Sequence, residues 1–87
     1  MSRRRFKWIE WNLAKIAAHA LSQAEVEASF GLAVSLSERA DGSFEMFADT
    51  PSGRPICVIW RLDREDETVL GVFDDLEDRL VFVITAF

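Results

Sequence analysis

Residues 56–62, ICVIWRL, are apolar at every position up to Arg61. A strand that is apolar on both of its faces has to be covered on both, so this run predicts the central strand of a sheet. The segments before it alternate instead. In "FEMFAD" (44–49) the residues Phe44, Met46 and Ala48 fall on one face, and in "LAVSLS" (32–37) Leu32, Val34 and Leu36 oppose Ser35 and Ser37. "DGS" at 41–43 and "TPSGRP" at 50–55 supply turns between these runs, with Pro51 preset for the first central position and Gly53 free to take positive φ. "LVFVITAF" (80–87) predicts a further buried strand. The acidic stretch from Asp63 to Asp78 has a short apolar centre and reads either as a strand or as a loop turning back.

Upstream of Gly31 the period is helical. Asn12 suits an N-cap, and Leu13, Ile16, Ala17 and Ala20 recur at helical spacing, which predicts a helix to about Leu21 with those four as its buried stripe. Lys15 and the only histidine, His19, lie four residues apart on the wetter flank. "SQAE" (22–25) is a capping box that starts a second helix almost without a loop, so the two helices should meet at a sharp corner near His19. Val26 and Phe30 face inward from that helix, and Gly31 suits its left-handed C′ position. Before the helices, "SRRRFKWIEW" interleaves cations with Phe6, Trp8 and Trp11, with Phe6 and Trp8 on one face of a short strand or arm. Aromatics so placed act as lids on a core or as stacking surfaces for single-stranded bases. The whole pattern predicts an α+β fold, with two N-terminal helices on one face of a three- to four-stranded antiparallel meander, in one domain over 1–87.

Charge narrows the partners. Residues 1–19 carry +4, leaving −9 for residues 20–87 of a chain whose total is −5. The basic start can approach phosphates or an acidic partner, while the remainder repels nucleic acid. The single cysteine, Cys57, rules out an internal disulfide and a cysteine zinc site, and in mid-strand it reads as a small buried hydrophobe. The carboxylates of 63–78 lack the spacing of a calcium loop, and no His–carboxylate cluster calls for a metal or other cofactor. With no signal peptide and no apolar run of about 18 residues, the expected location is cytoplasmic, with no membrane association.

"WNLAKIAAHALSQAEVEASF" (11–30) resembles the opening of the BrnT family, toxins of type II toxin–antitoxin modules. Those chains begin with a tryptophan, a Lys-bearing helix ending in a histidine, and an acidic amphipathic second helix. "SGRPICVIW" is similar to the family's Gly-Arg before an apolar central strand, and "VITAF" to its last strand, with Phe87 where the family has an arginine. The acidic stretch is longer than the family's turn. The resemblance implies a RelE-like fold, an RNA-cleaving activity that needs no metal, and an antitoxin protein as partner. It places Lys15, His19 and Arg54 at the site, with Arg61 more loosely matched.

Those residue types fit the chemistry. Attack of a ribose 2′-hydroxyl on the adjacent phosphate needs a proton acceptor, a proton donor and cations around the developing charge. An imidazole can serve in either proton role, guanidinium groups hold phosphate bidentately, and an ammonium adds a point charge. The plainer readings stand beside these: a helix-end histidine favoured by the helix dipole, and a turn arginine in water. An alternative function follows from them, a non-catalytic protein-interaction module on the same fold that uses an exposed sheet edge or the aromatic arm. The apolar last strand, if its edge is bare, also predicts a homodimer or a partner-covered face.

Overall fold

The computed structural model describes residues 5–63 and 80–87. Its elements, in chain order, are strand β1 (Arg5–Lys7), helix α1 (Glu10–Ala17), helix α2 (Gln23–Ser29), a 3-10 turn (Phe30–Leu32), and strands β2 (Ala33–Glu38), β3 (Phe44–Asp49), β4 (Pro55–Leu62) and β5 (Leu80–Ala86). The class is α+β. Two expectations are corrected: the sheet has five strands, in the order β1-β5-β4-β3-β2, and it is mixed. β2 to β5 form the antiparallel meander, but β1 precedes the helices and adds to β5 in parallel, pairing Phe6 with Val81. The acidic stretch lies outside the described residues from 64 to 79, as do residues 1–4 of the basic start.

β4 is the middle strand, as its two-sided apolar run requires. Ile56, Val58 and Trp60 point into the main core, where they meet Met46 and Ala48 of β3, Val81, Val83 and Ala86 of β5, and Ile16, Leu21, Val26 and Phe30 of the helical layer. Cys57 and Ile59, which alternate with these, are buried too. Burial raises the Cys57 thiol above its ordinary pKa, with a further push from Glu45 and an opposing pull from Arg39. The core's aromatic members run in a chain: Phe6 edge-on to Phe30 (5.0 Å), Phe30 edge-on to Trp60 (5.5 Å), and Trp60 stacked on Phe44 (4.6 Å). The Trp60 indole N–H has no hydrogen-bond partner among the described residues. Phe6 and Trp8 lie against the core as lids, and the Trp8 indole donates to Glu27 Oε2 at 2.7 Å, tying the first segment to α2.

Both turns form as their residues dictate. Gly42 takes φ +86° in the β2–β3 loop, where the Ser43 hydroxyl and then its N–H donate to Asp41 and hold that carboxyl below its ordinary pKa. Gly53 takes φ +90° as its N–H donates to Thr50 O (2.8 Å). β2 is one of the two outer strands, with β1 at the opposite edge. All six of its residues are exposed, and the register slips between Ala33 and Ser35, so Val34 stands out of the pairing. β5 instead lies between β4 and β1, so the last strand is not the sheet's outer strand.

The helical layer departs from the expected pattern in three places. Asn12 is not an N-cap. It sits at the third helical position, fully buried, with Oδ1 accepting from the N–H of Ile9 (2.7 Å) and Nδ2 donating to Lys7 O (2.9 Å). One amide thereby joins the end of β1 to the start of α1. Of the expected apolar stripe only Ile16 is buried. Leu13, Ala17 and Ala20 are exposed, because the helix lies beside β5 and turns a narrow strip inward. Gly31 does not cap α2 in the left-handed region; the chain tightens into the 3-10 turn instead. The α2 capping box forms as read, with Glu25 N–H donating to Ser22 Oγ (3.1 Å) and Ser22 N–H to Glu25 Oε1 (3.0 Å).

Asn12→Ala should cost about 2–4 kcal/mol, because it strands an N–H and a carbonyl of which each orphaned group costs about 1–3 kcal/mol. Urea denaturation checks this, and a loss within 0.5 kcal/mol, roughly the noise of a surface change, would show that the amide does not clasp β1 to α1.

Candidate nucleic-acid interface

α1 ends at a corner with distinctive backbone. His19 N–H donates to Ile16 O (3.0 Å), Ala20 N–H to Ala17 O (3.0 Å) and Leu21 N–H to Ile16 O (3.1 Å). The last two bonds make a Schellman cap, whose C′ position is normally glycine. Here it is Ala20, at φ +57°, the one non-glycine residue with positive φ among those described. A Cβ in that region costs about 1–2 kcal/mol, and such outliers cluster at functional positions. Leu21 follows, buried in the core, and Ser22 opens α2.

The carbonyls that leave this corner are taken by Arg54. Its Nη2 donates to His19 O at 2.7 Å and its Nη1 to Ala20 O at 3.2 Å. Arg54 reaches there because the Gly53 turn delivers it to the start of β4, where Thr50 N–H donates to Arg54 O (2.8 Å) and Arg54 N–H to Thr50 Oγ1 (3.1 Å). A cation is favourable beside the carbonyl end of a helix. The guanidinium is exposed and keeps further donors for a ligand.

His19 and Arg54, 35 positions apart in the chain, are therefore neighbours in space. The exposed His19 ring lies 5.9 Å from that of Phe87. Lys15 is one turn back along α1, exposed, with its Nζ 5.4 Å from the centre of the Trp11 ring. Trp11 in turn stacks on Phe82 of β5, centroids 6.0 Å apart and planes at 12°. Arg61 does not join His19 and Arg54. It stands at the other end of β4, seven residues or about 23 Å from Arg54 in an extended chain. Its guanidinium carbon lies 4.6 Å over the Phe82 ring and Nη1 donates to Leu62 O (3.2 Å). The four predicted residues thus lie along a band, not around a cleft: Arg61, Phe82, Trp11, Lys15, His19, Arg54.

Trp11 and Ala20 belong to this band by position; the sequence placed Trp11 in the aromatic opening, as a core lid or a base-stacking surface, and Ala20 in the buried stripe. For Trp11 a signal existed, since it precedes Lys15 by the same four-residue step that separates Lys15 from His19. For Ala20 there was none, as alanine ordinarily reads as a helix former. No family model, curated protein or solved structure matches the chain. Among the described residues no helix is long and apolar enough to cross a membrane.

The corner predicts opposite effects at one position. Ala20→Gly relieves the left-handed strain and should leave stability unchanged or raise it by up to about 1 kcal/mol, whereas Ala20→Val should lower it by about 1–2 kcal/mol. Equal losses in thermal unfolding for both variants would contradict the left-handed corner.

Proposed function

We propose that the chain is the toxin-like component of a type II toxin–antitoxin pair, a cytoplasmic endoribonuclease that needs no metal, on a RelE-like version of this α+β fold. The observation that carries the reading is the Arg54 guanidinium on the backbone carbonyls of His19 and Ala20, which brings a phosphate-binding cation to the residue that bears the only imidazole of the chain. In this reading the 2′-hydroxyl of the bound RNA attacks its own 3′-phosphate. A bond forms between the 2′-oxygen and phosphorus, the bond to the 5′-oxygen of the next nucleotide breaks, and a cyclic phosphate is left. His19 takes the 2′-hydroxyl proton or gives one to the leaving 5′-oxygen, with water in the other role; Arg54 and Lys15 offset the charge that gathers on the phosphoryl oxygens. Arg61, at the far end of the band, is a binding group and not a participant in that step.

A second reading, a non-catalytic protein-interaction module, is favoured by β2. Its six residues are all exposed, Val34 and Leu36 at 74% and 56%. A bare apolar outer strand is the usual receptor for an added strand from a partner. An antitoxin or a second copy of the chain would each fit such an edge.

Expression of the chain alone should slow bacterial growth, and both His19→Ala and Arg54→Ala should relieve the arrest. In purified form, His19→Ala should lower RNA cleavage by roughly 100-fold or more, the usual contribution of a proton-transfer group. Normal growth with the intact, soluble protein and no cleavage of RNA in vitro would overturn the ribonuclease in favour of the interaction module.

A further inference from the structure

Resting on the ribonuclease reading, we infer that the band takes unpaired RNA in extended form and that Trp11 is the platform on which one of its bases stacks. Of the three tryptophans, Trp8 is hydrogen-bonded to Glu27 and packed on the core, and Trp60 is buried. Trp11 is 48% exposed although it lies flush on Phe82, which fixes the orientation of the indole without covering it. An exposed indole resting on a ring of β5 leaves a flat π-face in water, the kind of face on which a base stacks. What surrounds it complements a nucleotide: Lys15 over the ring, His19 two residues past the end of α1, and Arg54 on the carbonyl of His19.

The spacing suits a single strand. Trp11 to Ala17 covers six residues of α1, about 9 Å at 1.5 Å per residue, and His19 lies two residues past its end, so a base stacked at Trp11 leaves its backbone to run past Lys15 toward the His19–Arg54 corner. A duplex keeps its bases stacked inside and cannot offer one to an indole, whereas single strands splay bases onto aromatic faces. The chain's net charge of −5 opposes non-specific attraction, so binding rests on the local cations Lys15 and Arg54. When the strand binds, Lys15 moves from the ring to a phosphate and opens that side of the indole. Trp11 acts as a positioning residue, setting which phosphate reaches His19.

The test is fluorescence anisotropy with a labelled 12-nucleotide RNA, single-stranded or annealed to its complement. It compares the intact chain with Trp11→Leu, Trp11→Phe and Lys15→Ala, each checked for native circular dichroism. The intact chain should bind the single strand at least about 10-fold more tightly than the duplex. Trp11→Leu, which keeps apolar contact with Phe82 but offers no π-face, should weaken that binding by about 5- to 100-fold, the span of one base–aromatic stack. Its salt dependence should not change, and Trp11→Phe should retain most of the affinity. Lys15→Ala should instead flatten the salt dependence by about one phosphate contact. If the intact chain binds the single strand but Trp11→Leu binds it equally well, the platform is overturned and the ribonuclease reading survives. Equal or tighter binding of duplex overturns the unpaired-RNA assignment. If the intact chain binds neither form, the ribonuclease reading falls and the platform falls with it.

Discussion

The clasp of Arg54 on the carbonyls of His19 and Ala20 is the contact that makes a site out of separate pieces. A helix eight residues long is too short to be stable on its own and needs its ends held. At its start, the buried Asn12 amide ties α1 to the end of β1; at its end, the Schellman cap and the guanidinium close the turn into α2. The corner is costly in backbone terms, since it places an alanine at φ +57°, and the surrounding bonds offset that cost. Without Arg54 two carbonyls would face water, a modest loss for an exposed pair. The site would lose more, because Arg54 is the described guanidinium that the rest of the fold brings to the His19 corner.

The parts of the fold that were legible in the sequence are those decided within a few residues. Ser22 and Glu25 announce a capping box, Gly42 and Gly53 mark positive φ, and the two-sided apolar run of β4 requires a central place. The misreadings share a cause: each needed knowledge of what lies across the fold. Asn12 looks like an N-cap because its side chain can accept a backbone N–H, and it does so, but from the third helical position back to Ile9. Leu13 and Ala17 keep the spacing of a buried stripe, yet α1 lies beside β5 and turns only a narrow strip inward. The parallel pairing of β1 with β5 joins residues 75 positions apart, beyond the reach of any local pattern. Of the site, the Lys15–His19 flank was readable from spacing, whereas Arg54 was placed there by the resemblance alone and by no local pattern.

The two functional readings draw on opposite sides of the molecule. The band along α1 offers cations, an imidazole and an exposed indole to a ligand that is anionic and aromatic at once. Across the sheet, β2 offers hydrogen-bonding backbone and apolar side chains to a strand. These surfaces do not compete, and a toxin silenced by a bound protein would use both. A net charge of −5 makes non-specific attraction to nucleic acid weak, so the proposed RNA binding depends on the local geometry of the band.

The most direct measurement is an amide and indole NMR titration of the isotope-labelled chain with a short single-stranded RNA. If the band is the site, shifts concentrate on the Trp11 indole N–H and the backbone of Lys15, His19, Ala20 and Arg54, while Ala33–Glu38 stays still. Shifts confined to Ala33–Glu38, or none at all at saturating RNA, would contradict it.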